Sequence, residues 1–170
     1  MSYASFKIRI YAFLLDYLLI VLYEILVVGT ISIIFRTFFT PLFSSSPVTA
    51  ELTGFLIMTL PISLYFIFCE CSRCQGTWGK KKLGIRVVDG SSQRIGLVRS
   101  IARTSIKFLP WEVAHFAVWH LMLPTNFSEI TILVILNAVC FVALIYLVSP
   151  LTNKKRKSVY DWVAGTEVVR

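Results

Sequence analysis

The sequence predicts an all-α fold: a polytopic bundle of four transmembrane helices, with a basic amphipathic helix at the membrane surface and both termini in the cytoplasm. Its composition supports this. Apolar residues make up 56% of the 170 residues and charged residues only 15%, whereas soluble domains carry about 25% charged residues. Such a chain cannot cover a water-facing surface, and its length fits a single membrane domain over residues 1–170.

The first two apolar segments predict helices over residues 10–35 and 52–69. The first is interrupted only by Asp16 and Glu24, and its helix reaches about 39 Å, enough to cross a hydrocarbon core of about 30 Å with tilt. No small-residue cleavage site follows it, so we expect a retained span rather than a signal peptide. The Ser-, Thr- and Pro-rich residues 36–53 predict a loop that leads into the second helix.

Residues 70–103 carry many basic residues and no long apolar segment, so we expect a cytoplasmic loop. Within it, residues 85–88 predict a short extended piece. Residues 93–109 have helical periodicity, with a basic stripe of Arg99, Arg103 and Lys107. A basic amphipathic helix of this kind lies at the membrane interface with its cations toward anionic lipid headgroups.

The third and fourth spans are predicted over residues 104–123 and 130–150. The fourth is a continuous apolar segment. In the third, residues 111–123 alone extend only about 20 Å, so this segment either spans with a kink at Pro110 or is re-entrant. We prefer a span, because three crossings would carry the basic residues 154–157 across the membrane, against the positive-inside rule.

Four crossings with a cytoplasmic N-terminus place 16 of the 17 Lys and Arg residues on the cytoplasmic side, including those of a cytoplasmic tail over residues 151–170; Arg36 lies outside. Membrane orientation thus accounts for the net charge of +8, and we expect no nucleic-acid partner. The expected location is the cell membrane, as a multi-pass protein of the bacterial inner membrane.

Charged residues within the spans are the candidate functional residues, because each costs about 2.5–3.5 kcal/mol at bilayer depth. Arg9 and Asp16 are seven residues apart, on nearly one helix face and about 10 Å apart along the axis, which leaves room for water, a substrate or a group from another helix. Glu112 and His115 can meet as a proton relay. The alternative is that these groups pair only to hold the helices together.

The sequence predicts no enzyme, metal site or cofactor. Cys69, Cys71 and Cys74 lack a fourth ligand and a nearby histidine, so we expect reduced thiols. Residues 76–80, Gly-Thr-Trp-Gly-Lys, lack the spacer and the Ser or Thr of a phosphate-binding loop. No arrangement of nucleophile and base suggests catalysis.

Four segments, RIYAFLLD, CQGTWGKKKLGIRVVDG, RSIAR and SVYDWVAGTEVV, resemble in this order the motifs of the RDD family, named for one arginine and two aspartates. The resemblance makes Arg9, Asp16 and Asp161 the named residues. It implies structural roles in the central motifs for Gly76, Thr77, Gly79, Lys80, Arg99 and Arg103. The cysteine cluster is not part of the pattern.

Some members of the RDD family are described as sodium/proton antiporters. The resemblance therefore implies exchange of Na⁺ or another monovalent cation for protons, with Asp16 as the exchanging carboxylate, Arg9 as its modulator and Asp161 as a gating or docking partner. Four helices make a small unit, so we expect a homo-oligomer.

The alternative is a non-transporting structural or regulatory membrane module, a partner in envelope stress or peptide resistance, whose Arg and Asp residues form an internal salt-bridge network. A water-accessible path to Asp16 would favour transport. A dry site with Asp16 or Asp161 bonded to arginine would favour the module.

Overall fold

The computed structural model describes residues 2–170, most of which are helical. Among these residues, four helices are long and five shorter elements lie at their ends. In chain order the elements are α1 (Phe6–Ile34), α2 (Arg36–Ser44), α3 (Pro47–Cys71), α4 (Trp78–Lys82), β1 (Arg86–Asp89), α5 (Leu97–Met122), α6 (Glu129–Leu151), α7 (Val159–Val163) and β2 (Thr166–Val169).

The helices α1, α3 and α6 are the three within residues 2–170 that are long and apolar enough to cross a membrane. Their apolar side chains point mostly outward, as Ile33, Ile130 and Phe141 illustrate. Soluble monomers rarely expose contiguous apolar patches larger than a few hundred Å². This exterior is the one expected of helices surrounded by lipid.

Helix α5 joins two segments that the sequence separated into a basic surface helix and a span beginning at residue 104. It continues through Pro110 for 26 residues, and its charged first half keeps it outside the three apolar candidates. The expectation that its basic stripe faces lipid headgroups is wrong for Arg103, which is only 2% exposed and lies among carboxylates. Arg99 does point outward.

The connection between α1 and α3 is helical, so the predicted loop over residues 36–53 is wrong. Two of its residues, Ser46 and Pro47, start a helix. Ser46 accepts the backbone N–H of Thr49, and Pro47 takes the first position of α3, where its missing N–H costs nothing.

The all-α prediction is also wrong in one detail, since β1 and β2 pair antiparallel, from Arg86 opposite Val169 to Asp89 opposite Thr166. The N-terminus extends this sheet, because the Ala4 N–H donates to the Val168 carbonyl oxygen at 3.0 Å. The predicted loop over residues 70–103 and the predicted tail therefore fold together.

We call residues 2–5, 72–96 and 152–170 the base layer. It packs against the start of α1 and the ends of the other long helices. The apolar core between the base layer and α1 is small and buried, and consists of Ala12 of α1 with Ala4, Ile85, Val87, Ile95 and Val168 of the base layer. A glycine in the left-handed conformation, Gly165 (φ 63°), makes the tight turn from α7 into β2.

Candidate functional site: a buried network of ion pairs

Asp161 is the centre of the most buried group of charges in the protein. A capping box fixes it at the start of α7, where the Ser158 backbone N–H donates to its Oδ2 at 3.1 Å. Arg9 Nη1 donates to Oδ2 at 2.9 Å, and Arg103 donates to Oδ1 from Nη2 at 2.8 Å and from Nε at 3.0 Å. The Thr166 hydroxyl also donates to Oδ1, at 3.1 Å. One carboxylate thus joins α1, α5, α7 and β2.

Glu70, at the end of α3, extends the network. Its side chain is fully buried. Arg103 Nη1 and Lys80 Nζ donate to its two oxygens, each at 2.5 Å. Arg103 therefore bridges two carboxylates with one planar guanidinium, a geometry that suits arginine better than lysine. The resulting chain of ion pairs, called the network below, runs through Arg9, Asp161, Arg103, Glu70 and Lys80.

Alternating charges make this burial tolerable. Removing a charge from water costs several kcal/mol unless a close partner compensates it. Burial alone would raise the pKa of Asp161, but Arg103 and Arg9 outweigh that effect and hold its pKa below the ordinary value of 3.8. The carboxylate therefore stays ionised at neutral pH, and losing any member would leave its neighbour unpaired.

Asp16 lies about two helical turns after Arg9 on α1, and only 2% of it is exposed. Its Oδ2 accepts the Thr77 hydroxyl at 2.5 Å, and its Oδ1 accepts the Gly79 backbone N–H at 2.8 Å and the Tyr65 hydroxyl at 3.3 Å. Gly79 is in the first turn of α4, so the carboxylate satisfies a free N–H at the positive end of that helix. Asp16 thereby attaches the base layer to α1.

Gly79 makes this attachment close. A Cβ built on it would overlap the Ala12 carbonyl oxygen and come within 3.0 Å of Asp16 Cγ, so only glycine lets α4 approach α1. Each residue of the surrounding motif has a separate role. Thr77 donates to Asp16, Gly79 permits the contact between α4 and α1, and Lys80 pairs with Glu70.

The RDD family model matches residues 3–165, nearly the whole chain. The chain belongs to the RDD family. It matches no curated protein and no solved structure, so the roles of the RDD residues Arg9, Asp16 and Asp161 are read here from their contacts.

Two of these residues, Arg9 and Asp161, bind each other, whereas Asp16 binds other partners. Arg9 forms the ion pair with Asp161 that the module hypothesis expected. Within residues 2–170, Asp16 makes its hydrogen bonds to Thr77, Gly79 and Tyr65 and none to an arginine. Between Arg9 and Asp16 lies a small cavity of about 60 Å³, room for a few water molecules.

The other predicted pair, Glu112 and His115, lies farther along α5. Glu112 Oε1 accepts the Thr59 hydroxyl at 2.5 Å and lies 3.7 Å from His115 Nδ1. The π-helical turns of α1 (Glu24–Gly29) and α3 (Phe55–Thr59) contact each other beside this pair. Single π-helical turns inside α-helices are frequent at functional sites.

Sequence reasoning missed Glu70 and the inward position of Lys107. A signal existed for both, because Arg103 and Lys107 have no carboxylate within four residues on their own helix. Glu70 is the acidic residue that ends the second apolar segment.

Cys69, Cys71 and Cys74 are free thiols. No group of three or more His, Cys, Asp or Glu side chains within residues 2–170 is arranged to hold a metal ion.

Proposed function

We propose that this RDD protein is a structural or regulatory module of the bacterial inner membrane, neither enzyme nor transporter. In this proposal the RDD residues hold the base layer beneath the helices. The observation that carries the proposal is that every carboxylate oxygen of Asp16, Glu70 and Asp161 already has an internal donor, in sites at most 2% exposed. A carboxylate that exchanges cations with water needs a free oxygen and an open path.

We further propose four crossings with both termini in the cytoplasm. The part of α5 after Lys107 lies between α3 and α6 and contacts both, which supports a crossing despite its charged start. The basic residues of the base layer then lie inside, as the positive-inside rule requires. In this arrangement the base layer faces the cytoplasm and can meet a partner protein of an envelope-stress or peptide-resistance system.

A flux assay in proteoliposomes tests the absence of transport through Asp16. Vesicles with an imposed pH gradient receive Na⁺ or K⁺, and the gradient is followed by a fluorescent dye. The proposal predicts the same decay with wild type, Asp16→Asn and protein-free vesicles. The Asn side chain keeps an oxygen for the Gly79 N–H but replaces the oxygen that accepts the Thr77 hydroxyl, so the fold of the variant is checked by circular dichroism before the assay. Cation-driven decay in wild type that Asp16→Asn abolishes would contradict the proposal.

Cation/proton exchange remains a second candidate, at Glu112 rather than Asp16. One observation favours it: Glu112 and His115 are only partly buried, at 23% and 25% exposure of their side chains. In addition, Glu51 Oε2 is buried nearby without a hydrogen-bond partner. Partly wetted carboxylates beside an imidazole can pass protons, and several copies of this small bundle in a homo-oligomer would complete a path.

The same flux assay separates this candidate from the first. Exchange at this pair predicts that Glu112→Gln abolishes cation-driven gradient decay while Asp16→Asn does not. Glu129→Gln, at the exposed start of α6, is the matched control and should behave as wild type. Equal decay in all variants and in empty vesicles would exclude exchange at Glu112.

A further inference from the structure

A groove of about 400 Å³ opens between the start of α1 and the helices α5 and α6. Its walls are almost entirely apolar and include Phe13, Phe108, Trp111, Val139 and Leu147. Its volume and lining are those of a ligand site, which is usually apolar with a few polar groups at fixed positions. Here the charged groups are two cations, Arg9 and Lys107, and the hydroxyls of Tyr146, Ser158 and Tyr160 are also in the lining.

These two cations are the ones that the network leaves unsatisfied. Arg9 uses Nη1 for Asp161, but its Nε and Nη2 are buried without any hydrogen-bond partner. Lys107 makes no ion pair within residues 2–170, and its Nζ instead lies 3.4 Å from the centre of the Phe66 ring. A cation–π contact offsets only part of the cost of moving an ammonium group out of water.

A charge count gives the same result. Four cations, Arg9, Lys80, Arg103 and Lys107, line the small cavity next to the groove, together with Asp16. Adding Glu70 and Asp161, the carboxylates that pair with them, gives three negative charges against four positive. One positive charge is thus in surplus, and Lys107, the cation without a carboxylate partner, lies where the small cavity meets the groove.

We propose that the groove binds one anionic phospholipid, with an acyl chain along the apolar walls and its phosphate between Arg9 and Lys107. The phosphate would supply the missing counter-charge for Lys107 and an acceptor for the free N–H groups of Arg9. The groove opens beside α1 and α6, two of the apolar helices, so a lipid can enter from the side. The proposal requires that these helices lie in a bilayer and is independent of whether the protein transports ions.

Native mass spectrometry of the purified full-length chain in detergent tests this. Phosphatidylglycerol and phosphatidylcholine are titrated separately, and one tight phosphatidylglycerol is expected per chain. A basic residue near the membrane surface raises the affinity for an anionic lipid by a factor of about five. We therefore expect Lys107→Gln to weaken the binding of phosphatidylglycerol about fivefold and Lys107→Arg to leave the affinity near that of wild type. Lys81→Gln, an exposed lysine of α4, controls for general charge.

A second variant tests the groove without touching the cations. Ala143 lines the groove and Ala138 lies on the same helix outside it, and both are exposed. Ala143→Trp should weaken the binding of phosphatidylglycerol at least about fivefold, whereas Ala138→Trp should not weaken it. Soluble glycerol phosphate, which has the headgroup charge without acyl chains, should not compete.

The proposal is overturned if phosphatidylcholine binds as tightly as phosphatidylglycerol, or if glycerol phosphate displaces the lipid. It is also overturned if the two tryptophan variants bind phosphatidylglycerol with equal affinity. Should Lys107→Gln fail to purify as a monodisperse protein, the pair of tryptophan variants decides alone.

Discussion

At Asp161 a single carboxylate compensates two buried guanidinium groups, those of Arg9 and Arg103. Asp161→Asn keeps the size of the side chain but leaves Arg9 without a counter-charge and Arg103 with Glu70 alone. We expect it to lower the free energy of unfolding by about 3–5 kcal/mol, the range for a broken buried ion pair. Thermal unfolding of the detergent-purified protein, followed by circular dichroism, measures the change.

Asp89→Asn is the matched control. Asp89 also pairs with an arginine, Arg99, at 3.3 Å, but the guanidinium is exposed, and water screens such a pair. Asn keeps an oxygen for the backbone N–H groups of Ser91 and Gln93. If the two Asn variants unfold at the same temperature, Asp161 does not have the role assigned to it.

Gly79→Ala tests the contact between α4 and α1. A Cβ there would overlap the Ala12 carbonyl oxygen, and overpacking of a well-packed site costs about 1–3 kcal/mol. Gly90→Ala places a methyl group where no atom lies within 4 Å and should leave stability unchanged. Unfolding of the two variants in parallel gives the comparison, and equal stabilities would show that α4 can move away from α1.

The sequence alone predicted which charges matter but not how they pair. Arg9, Asp16 and Asp161 could be identified because charge at bilayer depth is costly and because of the family motifs. Asp16 bonds to residues 49 to 63 positions away and Arg9 to one 152 positions away, and no local periodicity encodes such distances. The unpaired basic stripe of α5 indicated that a carboxylate was missing, but only the fold identifies it as Glu70.

Among the elements, the long helices were predictable because an apolar segment of sufficient length has one stable form in lipid. The strands were not. Each has four residues, and β2 pairs with a segment about 80 residues earlier, so neither length nor alternation distinguishes it from a tail. The loop predicted over residues 36–53 was wrong for another reason, because Ser and Pro are common in loops but also start helices.

A carboxylate on β2, Glu167, makes the stability of the base layer depend on pH. Burial alone would raise the pKa of Glu167, but hydrogen bonds from Lys157 and Lys155 outweigh it and lower its pKa below 4.5. Because the folded pKa is the lower one, this contribution to stability is complete above about pH 4.5 and disappears as the pH falls through the folded pKa.

We therefore expect Glu167→Gln to unfold at a lower temperature than wild type at pH 7, with a difference that shrinks toward pH 3. Glu129→Gln, which changes an exposed carboxylate on α6, should show no such trend. A Glu167→Gln effect of the same size at pH 3 and pH 7 would mean that the ionised carboxylate adds nothing to the stability of β2.

For the whole molecule, the proposed orientation places the base layer and the α2–α3 connection on opposite sides of the membrane. With Cys69, Cys71 and Cys140 replaced, the remaining Cys74 should react with an impermeant maleimide only after the cells are opened. With all four cysteines replaced, Ser45→Cys should react in intact cells. A permeant maleimide labels both and controls for access, and the reverse pattern, or labelling of both sites from outside, would exclude four crossings with cytoplasmic termini.

The network is assembled from segments that are synthesised far apart in time. Arg9 leaves the ribosome 152 residues before its partner Asp161. In the proposed topology this guanidinium is uncompensated while the first helix enters the membrane, at the time when positive charge decides orientation. Arg103 differs, because its partner Glu70 precedes it in the chain. Under that proposal the side chain of Arg9 first helps to orient the protein and afterwards, through Asp161, holds the base layer to α1.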